Sequence, residues 1–142
     1  MDESHEYITM CGKAEEIQAL RCYEYPNSFA GLFRNGDDVY YQPKCWREDR
    51  ESVIWLPRQD QLQGMLTYSK PISLVDNLNY FCCPMDRLGT MPHKRAMVEA
   101  QKQEDYIASF TSMEQLWLSF IMNALYNKRW LADKLEWVNE CQ

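Results

Sequence analysis

The stretch from Thr111 to Leu125 constrains the fold of this chain more than any other part of it. Thr111-Ser112-Met113-Glu114 has the form of a capping box, in which a threonine hydroxyl and a glutamate carboxylate satisfy backbone N–H groups left unpaired at a helix start. Met113, Leu116, Trp117, Phe120, Ile121, Ala124 and Leu125 then recur at i, i+3, i+4 spacing for three turns, and Lys128-Arg129 stand at the negative end of the helix dipole. This segment is read as the core helix, and the remaining elements must cover its apolar stripe.

Other helices are predicted around it. Tyr7, Met10, Cys11, Ala14 and Ile17 share a helical face, with Glu3 and Glu6 early and Arg21 late, where they complement the dipole. Pro57 fits the first position of a helix whose apolar residues are Leu62, Met65 and Leu66, slightly weakened by Gly64. After Ser69-Lys70-Pro71, the residues Ile72, Val75, Leu78 and Phe81 line one face of a short helix that should end at Cys83-Pro84. Pro92 opens a polar helix towards Ala108. Its anchors Met97, Ala100 and Ile107 are thin, so this helix is expected to be exposed or to cover another surface.

Pro26-Asn27 and Met85 to Met91 read as loops, and Asn35-Gly36-Asp37-Asp38 as a turn feeding the β-prone run Val39-Tyr40-Tyr41. A second β-prone run, Ser52 to Leu56, follows the polar stretch Arg47 to Glu51. The two are expected to pair as an antiparallel ribbon that packs on the helices, because an isolated ribbon is marginal in water. Trp130 to Cys141 is read as a last helix, with a strand-like tail as the alternative. The fold class is therefore mostly α (α+β): a compact helical domain with a small two-stranded antiparallel ribbon.

Composition supports one domain over residues 1–142. The apolar fraction is 46%, with five Trp, nine Tyr and five Phe, which is enough large apolar surface to offset the entropy of ordering the chain. The net charge is −6, with 8 basic and 12 acidic residues before Pro71, and 7 and 9 from there on. Neither half carries the block of Lys and Arg that neutralises phosphates, so direct nucleic-acid binding is not expected. His93-Lys94-Arg95 and Lys128-Arg129 read as solvated helix faces. The acidic start Met1 to Glu6 lacks the pattern of a signal peptide, and the run Leu116 to Met122 is far shorter than the ~20 residues of a membrane span. A soluble, cytoplasmic chain is expected, with its six cysteines as free thiols. No cysteine or histidine pair has zinc-ligand spacing, and adjacent Cys82-Cys83 suit neither one metal nor an unstrained bridge.

Little in the sequence points to catalysis. His5 and His93 fall in exposed segments, and nucleophile-elbow, zinc-protease, phosphate-loop and dinucleotide-fold motifs are all missing. The acidic runs Asp37-Asp38, Glu48-Asp49-Glu51 and Glu104-Asp105 read as solvated. Cys45 would need an activating base that the sequence does not place. No catalytic residue, metal or cofactor is therefore nominated. Local chemistry is densest in Trp55-Leu56-Pro57-Arg58-Gln59-Asp60-Gln61-Leu62-Gln63. At a helix start, backbone N–H groups and Arg58 can hold a carboxylate or phosphate while Trp55 supplies a stacking face. Alternatively, Asp60 satisfies the helix start, Arg58 pairs with a nearby acid, and Trp55 is core. Trp55, Arg58, Asp60 and Gln61 are the candidate binding residues.

The same nine residues, together with Tyr7-Ile8-Thr9-Met10-Cys11-Gly12-Lys13-Ala14-Glu15-Glu16-Ile17-Gln18 upstream and Thr111-Ser112-Met113-Glu114-Gln115-Leu116-Trp117-Leu118-Ser119-Phe120 downstream, resemble a family of small uncharacterised phage and prophage proteins of Gram-positive bacteria. The three motifs stand in that family's order, and Trp137-Val138 resembles its terminal Trp-Val. Cys22 to Asp37 and Cys82 to Gln103 do not align. The resemblance implies a phage origin and a bacterial cytoplasm, and brings no mechanism. Three functional readings follow: a non-enzymatic protein-interaction module contacting its partner through Trp55, Arg58 and Gln61; a small enzyme or nucleotide- or anion-binding protein with a site at the Pro57 helix start; and a structural protein that self-associates into a homo-oligomer.

Overall fold

Helix α6 (Met113–Tyr126) runs through the centre of the molecule, with Trp117, Leu118, Phe120, Ile121 and Met122 all buried. The computed structural model describes residues 2–20, 31–35, 38–42, 53–66, 71–83 and 93–140. Around α6 lie α1 (His5–Lys13), α2 (Glu15–Leu20), α3 (Gln59–Gly64), α4 (Pro71–Cys82) and α5 (His93–Ala108). Strands β1 (Gly31–Asn35), β2 (Asp38–Gln42) and β3 (Val53–Leu56) form one sheet, and β4 (Lys128–Leu131) and β5 (Glu136–Asn139) form another. The protein is mostly α, in an α+β arrangement with a small two-stranded antiparallel sheet. No described helix is long and apolar enough to cross a membrane.

The start of α6 is capped one residue later than the sequence suggests. Ser112, not Thr111, is the N-cap; its hydroxyl accepts from Gln115 N at 3.1 Å, and the Gln115 carboxamide oxygen accepts from Thr111 N at 3.0 Å. Gln115 is fully buried, and its Nε2 donates to Asp2 at 2.9 Å and to the Ser4 hydroxyl at 3.2 Å. Ser4 is the N-cap of α1, and Asp2 accepts from both Ser4 N (2.8 Å) and the Ser112 hydroxyl (2.5 Å). The starts of α1 and α6 therefore share one hydrogen-bonded cluster, which satisfies the buried glutamine.

The predicted first helix is broken at Ala14, whose ψ of 71° leaves the helical region, so α1 and α2 are separate. The break lets Gln18 on α2 turn towards β3. Its Nε2 donates to the carbonyls of Trp55 (2.9 Å) and Cys11 (3.1 Å), while its Oε1 accepts from Trp55 N (2.9 Å). The amide thus pairs with β3 as a neighbouring strand would and satisfies its edge. Gly12 permits the close packing of α1 on this strand, since a Cβ there would lie 3.0 Å from Ile54 Cδ1.

Both β-prone runs form strands, but they do not pair with each other. Strand β1 lies between them in the order β2-β1-β3, antiparallel to both, with Phe33 opposite Tyr40 on one side and Trp55 on the other. Only two residues connect β1 to β2, against ten between β2 and β3; local closure favours the shorter connection. The loops expected around Pro26-Asn27 and Met85 to Met91, and the turn residues 36–37, lie outside the described residues.

The C-terminal segment is a hairpin rather than a last helix. Asn127 adopts the left-handed conformation (φ 55°) and ends α6, so Lys128-Arg129 fall on β4 and not on the helix's last turn. Trp130 lies opposite Trp137, with ring centroids 5.1 Å apart. Asn127 also closes the hairpin base: Glu140 N donates to its carbonyl at 2.9 Å, and its Nδ2 donates to Glu140 O at 2.9 Å. In α4, Phe81 is buried and Leu78 half-buried as expected, whereas Val75 is 60% exposed.

Candidate functional site

The Trp55 to Gln63 segment is a structural joint. Trp55 is 3% exposed on β3, with its backbone held by Gln18. Arg58 grips Asp60 through two hydrogen bonds, Nε to Oδ1 at 2.9 Å and Nη2 to Oδ2 at 2.8 Å. That contact is the largest influence on the Asp60 carboxyl and holds it below its ordinary range. Gln61 is buried, and its side chain accepts from Arg58 N (2.8 Å) at the start of α3, where the Asp60 carboxylate also accepts from the backbone of Asp60 and Gln61. The Tyr7 hydroxyl donates to Pro57 O within the core. Trp55 thus has no face for a ligand, and the Arg58 guanidinium is engaged by a neighbouring acid. The contact surface expected from Trp55, Arg58 and Gln61 is not present in that form.

A concave site lies elsewhere, between α5 and the β4–β5 hairpin. Helical spacing puts Glu99, Lys102, Gln103 and Tyr106 along one face of α5, with Ser109 in the turn that follows it, while alternation along β4 turns Arg129 and Leu131 to the same side as one another. With Asp105, Ala132, Asp133 and Glu140, these residues line an open groove of about 660 Å³.

Tyr106 is the wall of this groove. Its hydroxyl shares a 2.5 Å hydrogen bond with Ser119 of α6 and accepts from Trp130 N at 3.1 Å, joining α5, α6 and β4 at one atom. Burial raises the Tyr106 pKa, and the bonds from Ser119 and Trp130 offset this in part. The Arg129 guanidinium lies 3.8 Å from the centre of the Tyr106 ring, the geometry of a cation–π contact. Its Nη1 also reaches Gln103 Oε1 at 3.3 Å and Glu140 Oε1 at 3.5 Å. On the rim, Lys102 pairs with Glu99 at 2.9 Å, and its ammonium holds the Glu99 carboxyl below the ordinary range.

The groove thus presents an aromatic wall, a stacked guanidinium and carboxylates at the rim. The Ser109 hydroxyl donates to Tyr106 O at 2.6 Å, and the residues lining the groove include neither histidine nor cysteine. Among the described residues no group of three or more His, Cys, Asp or Glu is placed to hold a metal ion. Compared with family models, curated proteins and solved structures, the chain matches none.

None of the groove residues is among the candidates nominated from the sequence, where Asp105 and Arg129 read as solvated charges. The available signal is the polar character of α5 despite its length, which fits either an exposed helix or one that covers another surface. Arg129 was obscured by its expected place at the end of α6.

Proposed function

We propose that the chain is a non-enzymatic protein-interaction module whose contact surface is the groove between α5 and the β4–β5 hairpin. The observation that carries this reading is Arg129 stacked on Tyr106 within an open groove of about 660 Å³. Tyr and Arg concentrate binding energy at protein interfaces, because each presents a large surface at low ordering cost or several directed donors. The interlocked Tyr106 hydroxyl supports the reading further, since a wall held at three elements is ordered before a partner arrives. A prophage-type origin and a bacterial cytoplasm are part of this proposal and are supported by the order of the three sequence motifs.

The test is affinity purification of the tagged chain from its bacterial host, with partners identified by mass spectrometry, alongside Ala132→Trp and Ser109→Trp as obstructing variants. Both positions are exposed and line the groove. Loss of a specific partner in both variants, with unchanged circular dichroism, is the expected result. A partner retained by both refutes the assignment of the surface.

Self-association is a second reading, favoured by exposed Val75 on α4 and by Met97 and Val98 on α5, each more than half exposed. A monomer at high concentration in sedimentation equilibrium refutes it.

A further inference from the structure

Resting on the interaction reading, the charge arrangement of the groove specifies the partner's chemistry. Four carboxylates line it, those of Glu99, Asp105, Asp133 and Glu140, against two cations, Lys102 and Arg129. Each cation has a carboxylate neighbour: Lys102 lies 2.9 Å from Glu99, and Arg129 lies 3.5 Å from Glu140 while stacking on Tyr106. Asp105 receives only the neutral Gln101 amide at 2.9 Å, and Asp133, at the hairpin turn, has no basic partner among the described residues. The lining thus carries a surplus of two negative charges within a chain of net charge −6.

We propose that this groove receives a lysine- or arginine-bearing segment of a partner protein, with Asp105 on the helix side and Asp133 on the hairpin side as the receiving carboxylates. A cationic side chain entering between them meets two acids not already neutralised by the protein's own bases. Its aliphatic stem can lie along Leu131, the half-buried apolar residue of the lining. The chain's overall negative charge draws such a segment in from solution. An anionic ligand faces the reverse balance. It would have to displace Glu99 or Glu140 from Lys102 or Arg129, the two cations of the lining among the described residues, while approaching Asp105 and Asp133.

The test uses the full-length protein and fluorescein-labelled ten-residue peptides of alternating glycine with arginine, glutamine or glutamate, measured by fluorescence polarisation at 50 and 300 mM NaCl. The arginine peptide is expected to bind, more weakly at the higher salt concentration, where surface charges are screened over a shorter distance. The double variant Asp105→Asn with Asp133→Asn is expected to weaken binding by about 3- to 30-fold, as two partly exposed ion pairs allow. A control removing the same charge elsewhere, Glu3→Gln with Glu15→Gln at two exposed positions, is expected to weaken binding by less than about twofold. Peptide-induced amide shifts in the NMR spectrum should cluster at residues 102–109 and 129–133.

Equal losses in the two double variants overturn the proposal, because binding then follows net charge and not the groove. Preference for the glutamate peptide overturns it in favour of an anion site at Arg129. Absence of arginine-peptide binding, when Ala132→Trp still abolishes capture of the host partner, overturns the basic-segment inference and leaves the interaction reading standing. Partner capture unaffected by Ala132→Trp and Ser109→Trp, together with no peptide binding, overturns both.

Discussion

Replacing Gln18 by alanine should lower stability by about 2–4 kcal/mol, because one side chain satisfies three backbone groups. The variant loses the bonds to Trp55 N (2.9 Å), Trp55 O (2.9 Å) and Cys11 O (3.1 Å). A neutral hydrogen bond contributes about 1 kcal/mol net, and a buried group left unpaired costs about 1–3 kcal/mol. The site is part-buried, so water recovers some of that loss, which places the total near three ordinary bonds and not at the upper limit. At 1.4 kcal/mol per factor of ten, the folded-to-unfolded ratio should fall about 30- to 700-fold. The melting temperature should fall by about 6–15 °C for a chain of this size. Urea denaturation followed by tryptophan fluorescence and by circular dichroism measures the change, and hydrogen exchange at the Trp55 amide reports it locally. Gln18→Glu adds a sign test. The carboxylate still accepts from Trp55 N but faces the Trp55 and Cys11 carbonyls, so its pKa should rise above the unfolded value of about 4.3. The deficit of this variant against the native protein should therefore be smallest below pH ~4 and grow as pH rises through the raised pKa. A Gln18→Ala protein within about 0.5 kcal/mol of the native one, or unchanged exchange at Trp55, would refute the clamp.

Three further outcomes follow from the same structure. Burial acts to raise the Asp2 carboxyl, but hydrogen bonds from Ser112, Ser4 and Gln115 outweigh it and hold the group below its ordinary 3.8, so the Asp2 contribution is present above that value and lost as pH falls through the lower folded pKa; Asp2→Asn should cost on the order of 1 kcal/mol at pH 7, and its melting-temperature gap from the native protein should close towards pH 2. Leu135 has φ 52° at an exposed turn position, where a branched side chain is strained, so Leu135→Asn should stabilise by about 0.5–1 kcal/mol in urea titration. Iodoacetamide followed by peptide mass spectrometry should label exposed Cys83 in the native protein and Cys11 only after unfolding, since complete burial pushes the Cys11 thiol far up and shields it.

Periodicity made the helices legible because it records which face is buried over most of its length: Trp117, Phe120 and Ile121 on α6 and Tyr7, Met10 and Ile17 on α1 and α2 lie in the core, whereas Met113 and Leu125 at the two ends of the α6 stripe and Met97 on α5 are exposed. It did not reveal where helices stop when the signal is a single backbone angle. The apolar stripe continues through Ala14, yet the chain breaks there so that Gln18 can reach β3. Trp130, Leu131, Trp137 and Val138 fit a helix about as well as a hairpin by spacing, and the decision falls to Asn127, one of two non-glycine residues with positive φ among those described. Strand β1 leaves little trace in the sequence because Gly31-Leu32-Phe33-Arg34-Asn35 is short and only weakly alternating, and its existence depends on pairing with two partners.

Polar density in a sequence marks two different things, and the two regions of this protein separate them. In Trp55 to Gln63 the polar groups are turned inward on the protein: Arg58 pairs with Asp60, Gln61 Oε1 accepts from the Arg58 backbone, and Trp55 pairs with Gln18 of α2, while Gln61 Nε2 is buried with no partner among the described residues. A strand that turns directly into a short helix leaves backbone groups in need of partners; Gln61 supplies one from within the motif and Gln18 supplies others from α2. The groove is built the opposite way. Its residues come from positions 99–109 and 129–140, brought together because Tyr106 ties α5 to Ser119 and Trp130. Each part reads as an ordinary solvated surface until the fold joins them, and Asp105 and Asp133 acquire their shared character only there. A polar cluster local in sequence is thus the more visible of the two, while a groove assembled across elements has no local signature.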